Sequence, residues 1–114
     1  MEFTKMQGTG NDFVVIEDLY DDFKGKEDSL AKVLCHRRFG IGADGILLVR
    51  KSSVADIKMD IINADGSYAA MCGNGIRCFA RYVYDKNIVK KPVIEIETGD
   101  GIKIAHLTIN NEEE

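Results

Sequence analysis

A glycine-rich turn that runs into an amphipathic helix, Asn63-Ala-Asp-Gly-Ser-Tyr-Ala-Ala-Met-Cys-Gly-Asn-Gly-Ile-Arg-Cys-Phe-Ala-Arg81, constrains this chain more than any other segment. From residue 73 to about 86, Ile76, Phe79, Ala80 and Val83 recur at i, i+3, i+4 and i+7, with Arg77, Arg81 and Lys86 outside the stripe. That period predicts one main helix. The apolar runs elsewhere are short and alternate, or are bounded by turn residues, so they read as strands. The fold class is therefore α+β, with strands packed around or against one helix.

Residues 2–7 and 13–18 read as two strands flanking a Gly8-Thr-Gly-Asn-Asp12 turn, and residues 19–28 as a polar surface loop. Ser29 offers an N-cap for a second helix carrying Leu30, Val33 and Leu34, which Phe39-Gly-Ile-Gly42 ends. Ile46-Leu-Leu-Val49 suits a buried strand, residues 51–54 a connection, and the Ile57, Met59, Ile61 alternation a further strand. After Pro92, Val93–Glu97 and Ile102–Ala105 read as a hairpin across Thr98-Gly-Asp-Gly101, its apolar face continuing the core. Residues 110–114, Asn-Asn-Glu-Glu-Glu, read as a frayed tail.

At 114 residues the chain has room for one domain with a real core. A net charge of −4, with His36-Arg-Arg38 and Lys90-Lys91 as the largest cationic clusters, argues against nucleic acid as a partner. No window approaches the roughly 18 apolar residues of a membrane span, and residues 1–8 lack the apolar run of a signal peptide. Three cysteines without a secretion signal read as reduced thiols in the cytoplasm.

The chemistry gathers at Cys72, placed where the glycine-rich turn becomes a helix. Unsatisfied backbone N–H groups and the positive end of the helix dipole favour thiolate over thiol there. A metal site does not follow. Cys72 and Cys78, six residues apart, would point about 120° away from each other on a helix. No CxxC or HxxxH spacing exists, so Cys78 and Cys35 read as small buried hydrophobes, and His36 and His106 show no base-like pairing. Gly8-Thr-Gly10 lacks the full Gly-x-Gly-x-x-Gly spacing of a nucleotide loop. Taken singly, Asn11 and Asn63 are ordinary turn formers.

Four segments in order, Phe3-Thr-Lys-Met-Gln-Gly-Thr-Gly-Asn-Asp-Phe13, Arg38-Phe-Gly-Ile-Gly-Ala-Asp44, Asn63-Ala-Asp-Gly-Ser67 and Cys72-Gly-Asn-Gly-Ile-Arg-Cys-Phe-Ala-Arg81, give the chain a resemblance to the diaminopimelate epimerases. That resemblance covers essentially all of the chain. It implies a curved mixed sheet wrapped around a central helix that begins after Cys72. It also implies a cofactor-independent isomerase, without pyridoxal phosphate, interconverting LL- and meso-diaminopimelate. Two cysteines would face each other across the substrate α-carbon, the first matching Cys72. Asn11, Asn63, Gly73 and Asn74 would contact the substrate, with N–H groups at the helix start receiving the α-carboxylate.

Two departures carry weight. Where some members have a substrate-contacting glutamine, this chain has Gly45. The family's second cysteine belongs to a second lobe, so residues 1–114 are expected to be a single N-terminal lobe, nearly inactive alone, whose partner is the C-terminal lobe of the same protein. Two readings compete: another racemase or isomerase of the same fold, such as the related families that act on proline, hydroxyproline or phenazine precursors, and a non-catalytic lobe that binds a partner or dimerises. A homodimer of the latter kind would bring two Cys72 side chains face to face.

Overall fold

Alternation and short apolar runs resolve into one mixed sheet with a helix on each face. The computed structural model describes residues 3–8, 11–36, 42–69 and 73–107. The strands are β1 (Thr4–Gly8), β2 (Asn11–Glu17), β3 (Gly45–Arg50), β4 (Ile57–Asn63), β5 (Tyr68–Ala69), β6 (Val93–Thr98) and β7 (Gly101–His106), and the helices are α1 (Glu27–Leu34) and α2 (Gly73–Asp85). The sheet order is β1-β2-β3-β4-β6-β7, with β5 paired to β4 off this path. β2 runs parallel to β3 and β4 to β6, while the remaining pairs are antiparallel.

The central strands are covered on both sides. Phe13 and Val15 of β2 and Leu47 and Val49 of β3 join Phe79, Ala80 and Val83 of α2 in one cluster. Their alternate neighbours Val14, Ile16, Ile46 and Leu48 join Ala31 and Cys35 in a second, beneath α1. This is why every residue of β3 is buried, since a strand between two helices has no solvent face. α2 touches β1, β2 and β3 and also β7, the opposite edge of the sheet. With strands about 4.8 Å apart, no flat sheet could bring both edges to one helix of about 10 Å diameter. The sheet therefore curls around α2.

Several expectations shift in detail. Asn11 and Asp12 lie in β2, paired with Gly8 and Gln7, rather than in a turn; Thr9 and Gly10 lie outside the described residues. α1 starts at Glu27, with Lys26 as N-cap and no side-chain cap, so Ser29 sits within the first turn. Glu27, assigned to a surface loop, is buried. α1 ends at Leu34, well before residue 39. Gly42, at φ +77°, then donates its N–H to the Leu34 carbonyl, which the helix itself leaves without a partner.

In β7 the alternation faces the other way. Ile102 and Ile104 lie opposite Glu97 and Glu95 and are exposed, while Lys103 and Ala105 lie opposite the buried Ile96 and Ile94. The hairpin thus continues the core through Ile94 and Ile96 of β6, with Ala105 of β7 packed against them, while Ile102 and Ile104 lie outside it. Residues 110–114 lie outside the described residues, and no helix among the described residues is long and apolar enough to cross a membrane.

Candidate active site

Strand register brings three of the motifs to one end of the sheet. Phe13 lies opposite Gly45, and Gly45 opposite Asn63, so Asn11, Gly45 and Asn63 sit at neighbouring strand ends. β3 and β4 approach closely there, because a Cβ on Gly45 would lie 2.7 Å from the Ile62 carbonyl oxygen. A side chain at position 45 would require the strands to move apart.

Asn63 opens a tight turn. Its N–H donates to the Ser67 carbonyl at 2.7 Å, and Gly66 donates back to the Asn63 carbonyl at 2.9 Å. The Asn63 amide is exposed, and its Nδ2 donates to Ser67 Oγ at 3.1 Å, which in turn donates to Asp65 Oδ1 at 2.6 Å. These Ser67 bonds hold the Asp65 carboxyl below its ordinary value, with the N–H of Ser67 adding to the hydroxyl. Gly66, at φ +94°, packs against α1 so tightly that a Cβ would meet Asp28 Cβ and Lys32 Cε at 3.0 Å.

Between the two asparagine-bearing segments stands Asp44. Its N–H donates to the Asp12 carbonyl at 2.9 Å, and its carbonyl accepts from the N–H of Ala64 at 3.0 Å. Its Oδ2 accepts from the N–H of Asp12 at 2.8 Å. Sequence reasoning included Asp44 and Ser67 in motifs without assigning either a role. The position of Asp44 beside the Asn11 and Asn63 segments emerges only from strand register, and that of Ser67 from the turn that Asn63 opens.

α2 begins at Gly73, the residue after Cys72, and its first turn contains no acidic residue. The positive end of this helix is therefore not neutralised by its own side chains, which suits an anion. Gly73 is exposed, and a Cβ built there meets nothing within 4 Å. Cys72 itself and the side chains of Asn11 and Asn74 lie outside the described residues. Cys35 and Cys78 are buried, at 3% and 8% exposure, as the reading of small core hydrophobes requires. His36 and His106 are exposed, and no group of three His, Cys, Asp or Glu residues among the described residues could hold a metal ion.

Architecture of this kind is found in isomerases and racemases. A methylitaconate-Δ-isomerase structure superposes with a TM-score of 0.75 at 16% identity, covering 96% of this chain and 34% of the other. A probable proline racemase from Agrobacterium radiobacter K84, with bound carbonate, gives 0.73 at 21% identity, over 96% and 38%. At such identities the likeness establishes the fold alone. Sequence goes further. The diaminopimelate epimerase family model matches residues 3–114, and the diaminopimelate epimerase of Clostridium perfringens is 65% identical over 112 residues, 98% of this chain. The chain belongs to the diaminopimelate epimerase family. It spans 41% of the length of that relative.

Proposed function

We propose that this chain is the N-terminal lobe of a cytoplasmic diaminopimelate epimerase and supplies one half of a two-thiol active site. Cys72 as thiolate removes the α-proton from one face of the substrate carbon. A thiol from the C-terminal lobe of the same polypeptide delivers a proton to the opposite face, inverting the centre. The electron pair left on carbon spreads into the α-carboxylate, where N–H groups at the start of α2, from Gly73 and Asn74, stabilise it. Asn11 and Asn63 hold the rest of the substrate. Each sulfur ends in the protonation state opposite to the one it began with, so neither pyridoxal phosphate nor a metal is required.

One observation carries this reading: α2 begins directly behind Cys72 with an acid-free first turn whose first residue, Gly73, is exposed, in a chain of this family. The C-terminal lobe has a surface to meet. Ile102 and Ile104 on edge strand β7 are 46% and 58% exposed. Beside them a cavity of about 420 Å³ opens between α2 and β7, lined by Ile76, Ala80, Ile104 and Leu107 among others.

The test is epimerisation of LL-diaminopimelate in deuterium oxide by the complete polypeptide. Deuterium should enter the α-position of the meso product, and Cys72→Ala should lower turnover by at least about 10³-fold, the scale of losing an essential acid or base. The isolated 114-residue chain should be nearly inactive. Undiminished turnover by Cys72→Ala would refute the assignment. The methylitaconate isomerase and proline racemase folds support a second reading, a racemase for another substrate, and a panel of amino acids separates the two.

A further inference from the structure

The two asparagines proposed to hold the substrate belong to segments that are 52 positions apart in sequence (63 − 11) and lie on strands that do not pair with each other. Something must fix their separation. β3 lies between them, and its first residue, Gly45, is preceded by Asp44. Both backbone polar groups of Asp12, next to Asn11, are taken by Asp44: its carboxylate accepts from the N–H at 2.8 Å, and its N–H donates to the carbonyl at 2.9 Å. The carbonyl of Asp44 accepts from Ala64, next to Asn63, at 3.0 Å. One residue is thus bonded to the immediate neighbour of each asparagine. The missing side chain at Gly45 lets β3 lie against β4 at the same point.

We propose that Asp44 is a positioning residue for the substrate: it sets the spacing of Asn11 and Asn63 without touching the reacting atoms. This rests on the function proposed above. The backbone bonds persist with any residue but proline at position 44, whereas a substitution such as Asp44→Ala removes the carboxylate bond to the Asp12 N–H. A charged acceptor makes that bond short and strong, and its loss frees the Asn11 strand end to move relative to the Asn63 turn. Misplacement on the scale of 1 Å is enough to weaken a site severely.

The experiment is a double-mutant cycle in the complete polypeptide, with KM and kcat for diaminopimelate measured for Asp44→Ala, Asn63→Ala and the pair. Asp44→Ala should lower kcat/KM by about 10- to 100-fold, mainly through KM. In the Asn63→Ala background the same change should have a smaller effect, since the spacing it sets, between Asn11 and Asn63, has already lost one of its two members. Asp44→Asn keeps an acceptor oxygen for the Asp12 N–H and should recover activity to within about 3-fold of the parent, the loss reflecting a neutral rather than charged acceptor. Should Asp44→Ala fail to fold, Asp44→Asn and its cycle with Asn63→Ala carry the test alone. Equal effects of the Asp44 change in both backgrounds, or a fall in kcat and melting temperature with KM unmoved, would overturn the positioning role. Unchanged KM in Asn63→Ala alone would instead overturn the substrate site on which it rests.

Discussion

The two ends of β3 are built on opposite principles. At its C-terminal end, Arg50 is 5% exposed and is surrounded by carboxylates. Its guanidinium reaches Asp18 and Glu27 at 2.9 Å and Asp60 at 2.8 Å, with Asp21 at 3.6 Å. Burial opposes the charge on Arg50, but Asp60, Asp18 and Glu27 more than offset this and raise its pKa further above its ordinary value. At the other end, about 17 Å away at 3.3 Å per residue, Gly45 has no side chain and Asn63, Asp65 and Ser67 are exposed. One end buries its polar groups against each other; the other holds its backbone tightly and leaves its polar side chains, bonded among themselves, facing solvent. The first arrangement suits stability, and the second suits a ligand.

That contrast breaks most readily at Arg50. Arg50→Met leaves the buried Asp18 and Glu27 without the Arg50 cation and Asp60 beside Lys58 at 3.9 Å, and removing one partner of such a network costs about 3–5 kcal/mol. Urea unfolding should show this loss, whereas Asn63→Ala should change stability by no more than about 0.5 kcal/mol. Equal losses would erase the distinction between the two ends.

Glu27 sharpens the same comparison through pH. Burial works against its ionisation, yet its own N–H, the side chains of Arg50 and Tyr68 and the N–H of Gly25 together hold the carboxyl below its ordinary value of 4.5. A depressed carboxyl contributes stability that is present above the ordinary value and disappears as the pH falls through the depressed one. Glu27→Gln should therefore cost about 1.5–3 kcal/mol at neutral pH, the scale of a hydrogen bond to a charged group. The difference from the parent should narrow as the pH falls below 4.5. A gap that widens in acid would contradict the network.

Gly45 tests the other end. An added Cβ would press on the Ile62 carbonyl from 2.7 Å, so Gly45→Ala must part β3 from β4. Overpacking of this kind costs about 1–3 kcal/mol. Because Asn63 lies opposite Gly45, KM should rise as the melting temperature falls. A stable variant with unchanged KM would show that the strands separate there freely.

How much of this was legible in the sequence follows from how local each signal is. The stripe of α2 and the apolar runs of β2 and β3 were readable because burial repeats along the chain within a few residues. The start of α1 was not, since Glu27 looks like a surface acid until Arg50, 23 positions away, is brought against it. The Ile46–Arg50 segment held the one available hint, a charged residue closing a wholly apolar strand. The exposed face of β7 was misread for a different reason. Alternation of Ile102 and Ile104 reveals a period of two but not which phase is buried, and pairing with Glu95 and Glu97 decides it. Family motifs mark Asn11, Asn63, Cys72, Gly73 and Asn74 as candidate site residues, while the role proposed for Asp44 needs the register of three strands.

The smallest expected effect isolates the side-chain arrangement of the site from its backbone. Ser67 holds Asn63 through two kinds of bond: its carbonyl accepts from the Asn63 N–H at 2.7 Å, and its hydroxyl accepts from Nδ2 at 3.1 Å. Ser67→Ala removes only the second, together with the hydroxyl bond to Asp65 at 2.6 Å. All three side chains are exposed, so water replaces the lost bonds and stability should change by less than about 0.5 kcal/mol. In the proposed site, however, the Asn63 amide loses the partner that orients it and must be ordered by the substrate on binding. Ordering one rotamer-rich side chain costs about 0.5–1.5 kcal/mol, so KM should rise roughly 2- to 12-fold with kcat little changed. Steady-state kinetics beside a thermal melt would check this. A KM equal to the parent's would mean that Ser67 stabilises the turn without preparing Asn63 for the substrate.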